Sequence, residues 1–354
     1  MRSTAGFVMF ITFFMTLYLA VNGYVVIRLS GLLGIKRGWY VYAAAAALGL
    51  SLVGAMYLEA KIGNRLTGWL LTGAANWIGV LWILFWCLVI YELLALGVKL
   101  PARTAGWVIV VVGTAIVTYA ALNARRLKVS EMALPGPGPL RLVQMTDVHL
   151  GAVERGFLRR VVERVNALKP DAVFITGDLV DNHNEKTATE LKALDDLQAP
   201  VFMVSGNHER YVGLENVEHL MAQTKVRLLR DEAVDFRGIQ IVGLDDGPDL
   251  GPMIPRLQRL GVDGGKYAVL LYHRPLGLET AAQAGVKLML SGHTHNGQLF
   301  PFNFFVQQAF RRITGLYEWE GTTLRVSPGT GTWGPRMRLG SNSEILLVRL
   351  GDGT

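Results

Sequence analysis

The chain of 354 residues contains a single cysteine, Cys87. No disulfide can form within it, and no set of thiolates is available to hold zinc or an iron–sulfur cluster. Cysteine therefore neither supports nor excludes an oxidising compartment. Acidic residues are almost missing from the first third. Residues 1–128 hold two, Glu59 and Glu92, against 11 Lys/Arg, whereas the remainder holds 24 basic and 26 acidic residues. The excess positive charge thus belongs to the N-terminal part, where basic residues flank apolar runs, a pattern that speaks for a membrane and against nucleic acid. Internal repeats are absent, and the only low-complexity tract is Ala43–Ala47.

What is present begins with four apolar runs, at residues 6–27, 39–58, 69–96 and 106–122, each expected to be a transmembrane helix. The first could be a signal peptide with Arg2 as its basic start. It is long for one, however, and no small-x-small cleavage site follows, so a retained helix is expected. Trp39, Trp69 and Trp107 stand at the starts of runs, where interfacial aromatics belong. Trp77, Trp82 and Trp86 lie inside the third run and read as packing or lipid-facing residues. Asn22, Asn76 and Glu92 are the main polar groups within the runs, with Glu92 placed near an interface. No pair of ionisable residues suggests an ion pathway. Four spans put both ends of the region on one side. That side carries six basic residues against five on the other, which leans towards a cytoplasmic C-terminal domain.

Residues 129–139 (VSEMALPGPGP) read as a linker, because alternating Pro and Gly cannot continue a helix. From residue 140 to 354 the pattern becomes that of an α/β domain. Apolar strand-like runs lie at residues 140–145, 172–176, 201–205, 267–272 and 287–290, with late strands at 322–327 and 344–350. Helical patterns lie at 157–168 and 188–197, and a hairpin at 233–244 turns at Arg237-Gly238. A short polar run follows each of the first five strands: Asp147-Val148-His149, Gly177-Asp178, Gly206-Asn207-His208-Glu209, Tyr272-His273-Arg274-Pro275 and Gly292-His293-Thr294-His295. Parallel sheets bind ligands outside the carboxyl ends of their strands, so these residues are expected to meet in space. Carboxylate, amide and imidazole donors without a thiolate suit Mn, Fe, Zn or Mg. Five of the seven histidines fall in these runs; His183 and His219 do not and read as ordinary surface residues.

The five runs, in this order over about 150 residues, resemble the calcineurin-like metallophosphoesterase superfamily and its D-x-H, G-D-x-x-D, G-N-H-[DE], H and G-H-x-H blocks. The resemblance implies a four-layer α/β/β/α sandwich behind the membrane helices. It also implies two divalent metal ions, Mn first among the candidates. Asp147, His149 and His295 would ligate the first and Asn207, His273 and His293 the second, with Asp178 as the bridging carboxylate. His208 would contact phosphate and protonate the leaving oxygen. The implied reaction is attack of a metal-held hydroxide on a phosphodiester or diphosphate. Asp181 and Glu209 are expected to orient histidines. Arg274, Arg336 and Arg338 are candidate substrate contacts.

Residues 292–298 (GHTHNGQ) and 326–344 (VSPGTGTWGPRMRLGSNSE) resemble segments of membrane-associated bacterial phosphoesterases, some of which hydrolyse UDP-2,3-diacylglucosamine. The helices ahead of the domain resemble the architecture of transmembrane proteins with a metallophosphoesterase domain. Asn342-Ser343 departs from the proline usual in the closing segment. Together these imply a multi-pass protein of a bacterial inner membrane whose partners are the bilayer and a phosphoester, lipid-linked in one version, and not nucleic acid. Residues 299–319, rich in Phe with Arg311 and Arg312, could form an interfacial lip or a packed loop over the sheet edge. The alternative function is a non-catalytic phosphate sensor or transporter-associated domain, against which the complete ligand set counts.

Overall fold

The computed structural model describes residues 4–247, 253–262 and 264–351. In order they form helices α1 (Thr4–Leu32), α2 (Trp39–Ile62), α3 (Arg65–Ala95) and α4 (Ala102–Ala124), then strands β1 (Leu127–Leu134) and β2 (Leu140–Met145). There follow α5 (Phe157–Ala167), β3 (Ala172–Thr176), α6 (Glu185–Leu191), β4 (Val201–Val204), α7 (Asn207–Val212), α8 (Leu214–Met221), β5 (Val226–Leu228), β6 (Glu232–Phe236) and β7 (Ile239–Gly243). The chain ends with α9 (Met253–Arg259), β8 (Tyr267–Leu271), α10 (Leu278–Gln283), β9 (Leu288–Ser291), α11 (Phe302–Ala309), β10 (Gly315–Trp319), β11 (Thr322–Val326) and β12 (Ser343–Leu350). Contacts divide it into two compact units, Met1–Ala121 with Gly334–Met337, and Leu122–Trp333 with Arg338–Thr354.

In the helical unit all four helices are long and apolar enough to cross a membrane. The turn between α2 and α3 is set by Gly63, left-handed at φ 62°, and by Asn64, whose side chain accepts the Thr67 N–H at 3.0 Å. Helix α1 continues past the expected end at residue 27 because Arg28 is not left facing lipid. Its Nε lies 2.6 Å from Glu92 Oε1 and its guanidinium lies over Tyr91. Asn22 is buried and fully used, donating to the Ala45 carbonyl at 2.7 Å and accepting from Trp77 Nε1 at 2.9 Å. Asn76 accepts the Arg336 N–H at 2.8 Å. These polar groups therefore tie elements together.

The second unit holds two six-stranded sheets, ordered β1-β12-β2-β3-β4-β5 and β10-β11-β9-β8-β7-β6. Strands β2 to β5 run parallel, as do β7, β8, β9 and β11. Alternation along the strands decides the layers. Leu142, Phe174, Phe202, Ile241, Val269 and Leu290 face one another between the sheets. Val143, Val173, Ile175 and Met203 pack on Val161, Val162 and Val165 of α5. Leu270, Met289 and Leu324 pack on Leu257 of α9 and Ala281 of α10. The result is the expected α/β/β/α order.

One boundary differs. Residues 127–134 form β1, paired in parallel with β12 from Leu127↔Ser343 to Leu134↔Leu350. Most of the expected linker is therefore an edge strand. Its half-buried, mixed composition suits an edge and hides it from a search for apolar runs. Only the Pro/Gly stretch at 135–139 stays outside regular structure.

Candidate metal centre

The five polar runs leave the carboxyl ends of β2, β3, β4, β8 and β9 and meet there. The turns are laced to one another. Asp147 N–H donates to the Gly177 carbonyl and His149 N–H to the Asp178 carbonyl, each at 3.0 Å, and Gly331 N–H donates to the Asp147 carbonyl at 2.9 Å. Asp147, His149, Asp178, His293 and His295 all sit at positive φ, between 50° and 74°. Such a concentration of left-handed non-glycine residues is unusual away from functional sites. Two glycines make the close approach possible. A Cβ on Gly206 would stand 2.2 Å from Asp178 Oδ1, and one on Gly292 would stand 2.1 Å from Asp147 Oδ2.

Two groups of donors result. In one, His149 Nε2 faces His295 Nε2 at 3.1 Å, and His295 Nε2 lies 3.4 Å from Asp147 Oδ1. In the other, His273 Nε2 faces His293 Nδ1 at 3.0 Å, Asn207 Oδ1 at 3.2 Å and Asp178 Oδ2 at 3.2 Å. Asp178 Oδ2 is also 3.9 Å from His149 Nε2, so it stands between the groups. The family resemblance implied that Asp178 is a bridging carboxylate, without saying through which oxygens. Oδ1 accepts the His208 N–H at 2.9 Å, which leaves Oδ2 alone to face both sides.

The donor chemistry fits cations. His273 Nδ1 lies 2.9 Å from the Thr176 carbonyl, to which it must donate. In the neutral ring Nε2 is then a bare acceptor aimed at two oxygens and another imidazole nitrogen. His149 Nδ1 lies 2.8 Å from Asp181 Oδ1, which leaves its Nε2 in the same position. Acceptors converging in a buried place need a positive charge between them.

Without one, protons take that place. Burial opposes charge on His273, but the Asp178 carboxylate outweighs it and pushes the ring up to about 10. Burial likewise opposes charge on His149, and Asp181, Asp178 and Asp147 raise it to about 9. His293 falls to about 3, through burial and then the neighbouring His273 charge. His295 falls well below the usual range, through burial and then His149 and Arg338. Asp178 is held far below the carboxylate range, because its histidines overcome the cost of burial.

Asp181 orients two rings, with Oδ1 at 2.8 Å from both His149 Nδ1 and His208 Nδ1. Among the described residues Glu209 makes no side-chain hydrogen bond or ion pair to a histidine, contrary to expectation. Its buried carboxylate accepts backbone N–H groups from Asp178, Leu179, Val180 and Gly206 at 2.7–3.1 Å, and so clamps two loops.

The three arginines diverge. Arg338 is wholly buried, and its guanidinium donates to the Gly331 carbonyl at 2.6 Å, the Gly329 carbonyl at 3.2 Å and Ser341 Oγ at 2.6 Å. It has no face left for a substrate, so that expectation is corrected. It instead braces the loop behind His295, whose Nδ1 lies 3.4 Å away. Arg336 falls in the segment that groups with the helical unit. Arg274 is half-buried, with Nη2 donating to Asp246 Oδ2 at 2.9 Å and Nε 2.7 Å from Oδ1 but off the hydrogen-bond direction.

Sequence reasoning missed Asp246, a buried carboxylate just after β7, although a strand followed by two acids repeats the pattern of the other runs. It also missed Thr146, whose hydroxyl donates to Asp147 Oδ2 at 2.7 Å. Tyr211 and Trp333 went unnoticed as well. Both are exposed, with rings 5.4 and 6.1 Å from that of His208.

A two-sheet sandwich with oxygen and imidazole donors for divalent cations at its strand ends defines a class of metal-dependent phosphoester hydrolases. The profile of the calcineurin-like phosphoesterases matches residues 140–297. The chain is 35% identical over 240 residues to an uncharacterised metallophosphoesterase of Aquifex aeolicus, covering 65% of this chain and 92% of that one. It is 37% identical over 242 residues to one of Campylobacter jejuni, covering 65% and 64%. It is 34% identical over 244 residues to the transmembrane protein with metallophosphoesterase domain of Bos taurus, covering 61% and 54%. The chain belongs to the calcineurin-like metallophosphoesterase family. It spans 60–64% of the length of the Campylobacter relative and of two from Helicobacter pylori.

Proposed function

We propose that the protein is a membrane-held, dinuclear-metal phosphoesterase acting on a phosphodiester or diphosphate, with a lipid-linked ester as substrate. The observation that carries this reading is the convergence of two donor groups on one oxygen, Asp178 Oδ2. Asp147, His149 and His295 would hold one cation and Asn207, His273 and His293 the other, with Asp178 shared. Two divalent cations, Mn²⁺ being our choice, would supply charge neutralisation at the phosphoryl oxygens and a more acidic water. Asn207 contributes a neutral oxygen and so limits the negative charge of the site. Asp181 fixes the His208 ring through Nδ1, and Nε2 is the atom from which a proton would pass to the leaving oxygen. Arg274, steadied by Asp246, is the arginine we keep as a phosphate contact.

The lipid-linked substrate draws support from α11. None of its residues is buried, and Phe300, Phe302, Phe304 and Phe305 are each 44–55% exposed. A packed loop would hide them. Phe310 closes the segment with its ring 5.0 Å from that of His293, which ties the apolar surface to the metal centre. Arg312 is matched by Glu279 at 2.5 Å, so Arg311 is the cation of that pair left to meet a diphosphate. Replacing Phe304 and Phe305 by Ser should cut turnover of a lipid ester tenfold or more and leave a soluble diester unaffected. Equal loss on both would remove the lip.

The direct test is UMP release from UDP-2,3-diacylglucosamine by detergent-purified protein with Mn²⁺, with Asn207→Ala as the blank. Release by the wild type alone supports the full reading. Cleavage of a chromogenic diester without UMP release keeps the phosphoesterase and discards this lipid.

A further inference from the structure

The helical unit contains an apolar cavity of about 270 Å³ between the C-terminal half of α3 and the N-terminal half of α4. Cys87, Tyr91 and Leu94 line one side, and Pro101, Thr104 and Val108 the other. The connection between the two helices borders it, and there Lys99 and Arg103 precede the lining residues Leu100 and Thr104 in sequence. Both are exposed and have no acidic partner among the described residues. Arg103 Nε reaches the α1–α2 connection, 3.8 Å from where a Cβ on Gly34 would stand, and Lys36 and Arg37 follow there, also exposed. Residues 33–38 and 96–103 thus gather four cations and no carboxylate at one end of the bundle. The acid closest to Lys99 in sequence, Glu92, is paired with Arg28.

An apolar slot does not fill with water, and in a bilayer its natural occupant is an acyl chain. An unmatched cationic rim beside the slot, in the connection between two spans and so at headgroup depth, selects which lipid supplies that chain. We infer that this crevice is a binding site for an anionic phospholipid. One acyl chain lies along Cys87, Tyr91 and Val108, and the phosphate is held by Lys99 and Arg103. The site's occupant is a resident lipid that wedges α3 against α4.

Cys87, the only thiol, reports occupancy directly. The full-length protein in detergent is mixed with dioleoyl-phosphatidylglycerol or with dioleoyl-phosphatidylcholine, and alkylation of Cys87 by N-ethylmaleimide is followed. The expected result is at least tenfold slower alkylation with phosphatidylglycerol than with phosphatidylcholine. The double variant Lys99→Gln/Arg103→Gln should erase that preference. Thr104→Trp, at an exposed position in the lining, should displace the chain and abolish the difference, while an unchanged circular-dichroism spectrum establishes that the fold persists. Equal protection by the two lipids would mean annular lipid only and would overturn the proposal. So would a phosphatidylglycerol preference that survives the double variant.

Discussion

At the scale of single residues, the centre depends on atoms that cannot move apart. Gly292 is the clearest case, because a methyl group there would stand 2.1 Å from Asp147 Oδ2. Gly292→Ala should displace Asp147 and lower bound metal from two ions per chain towards one, read by elemental analysis of the purified protein. Asp181 holds His149 and His208 through one oxygen. Asp181→Asn should weaken metal binding by about 10–100-fold, the range usual for residues that orient metal-bound histidines. It should also lower kcat beyond what saturating metal restores, since His208 loses its support as well. Full recovery at high metal would assign Asp181 to metal retention alone. The residues proposed as ligands could be picked out of the sequence because each stands within a fixed block at a strand end, and the structure brings them together. Arg338 was misread because a cation in a Gly-rich loop looks solvent-facing in sequence, whereas its guanidinium caps the carbonyls of Gly329 and Gly331.

At the scale of elements, the strand ends deliver the proposed ligands and Glu209 locks two of the loops together. Four backbone N–H groups point at its buried carboxylate. Glu209→Ala strands them without water, at roughly 1–3 kcal/mol for a buried unsatisfied group. The variant should lose on the order of 3 kcal/mol of stability in urea unfolding. Glu209→Gln, which can replace only part of the set, should fall between. A loss under about 0.5 kcal/mol for the alanine variant would refute the clamp. Strands β2, β3 and β4 and the β6–β7 hairpin were readable because both faces are buried or the turn is marked by Arg237-Gly238. Strand β1 was not, because its alternation is weak and its partner, β12, lies more than 200 residues away. Helix α11 was equally hidden, since aromatic spacing alone does not say which side faces water.

At the scale of the whole molecule, four apolar helices precede a metallophosphoesterase domain, and on the proposed assignment metal charge governs how its site responds to pH. In the metal-free site His149 and His273 are raised to about 9 and about 10, so both carry a proton near neutrality. A cation must expel that proton from its own group of donors. Apparent metal affinity should therefore rise with pH, by about tenfold per unit for each ion between pH 6 and 8. Calorimetry in buffers of different ionisation enthalpy would count the protons released, and an affinity flat over this range would contradict the assignment. The measurement that tests the central claim most directly is Mn²⁺-dependent cleavage of bis(p-nitrophenyl) phosphate by the full-length protein, with bound metal counted in parallel and Asn207→Ala beside it. The account predicts two ions per wild-type chain, turnover that vanishes with chelator and returns with Mn²⁺, and no turnover by the variant. Two bound ions with no cleavage of this or any phosphoester, or undiminished cleavage by Asn207→Ala, would contradict it.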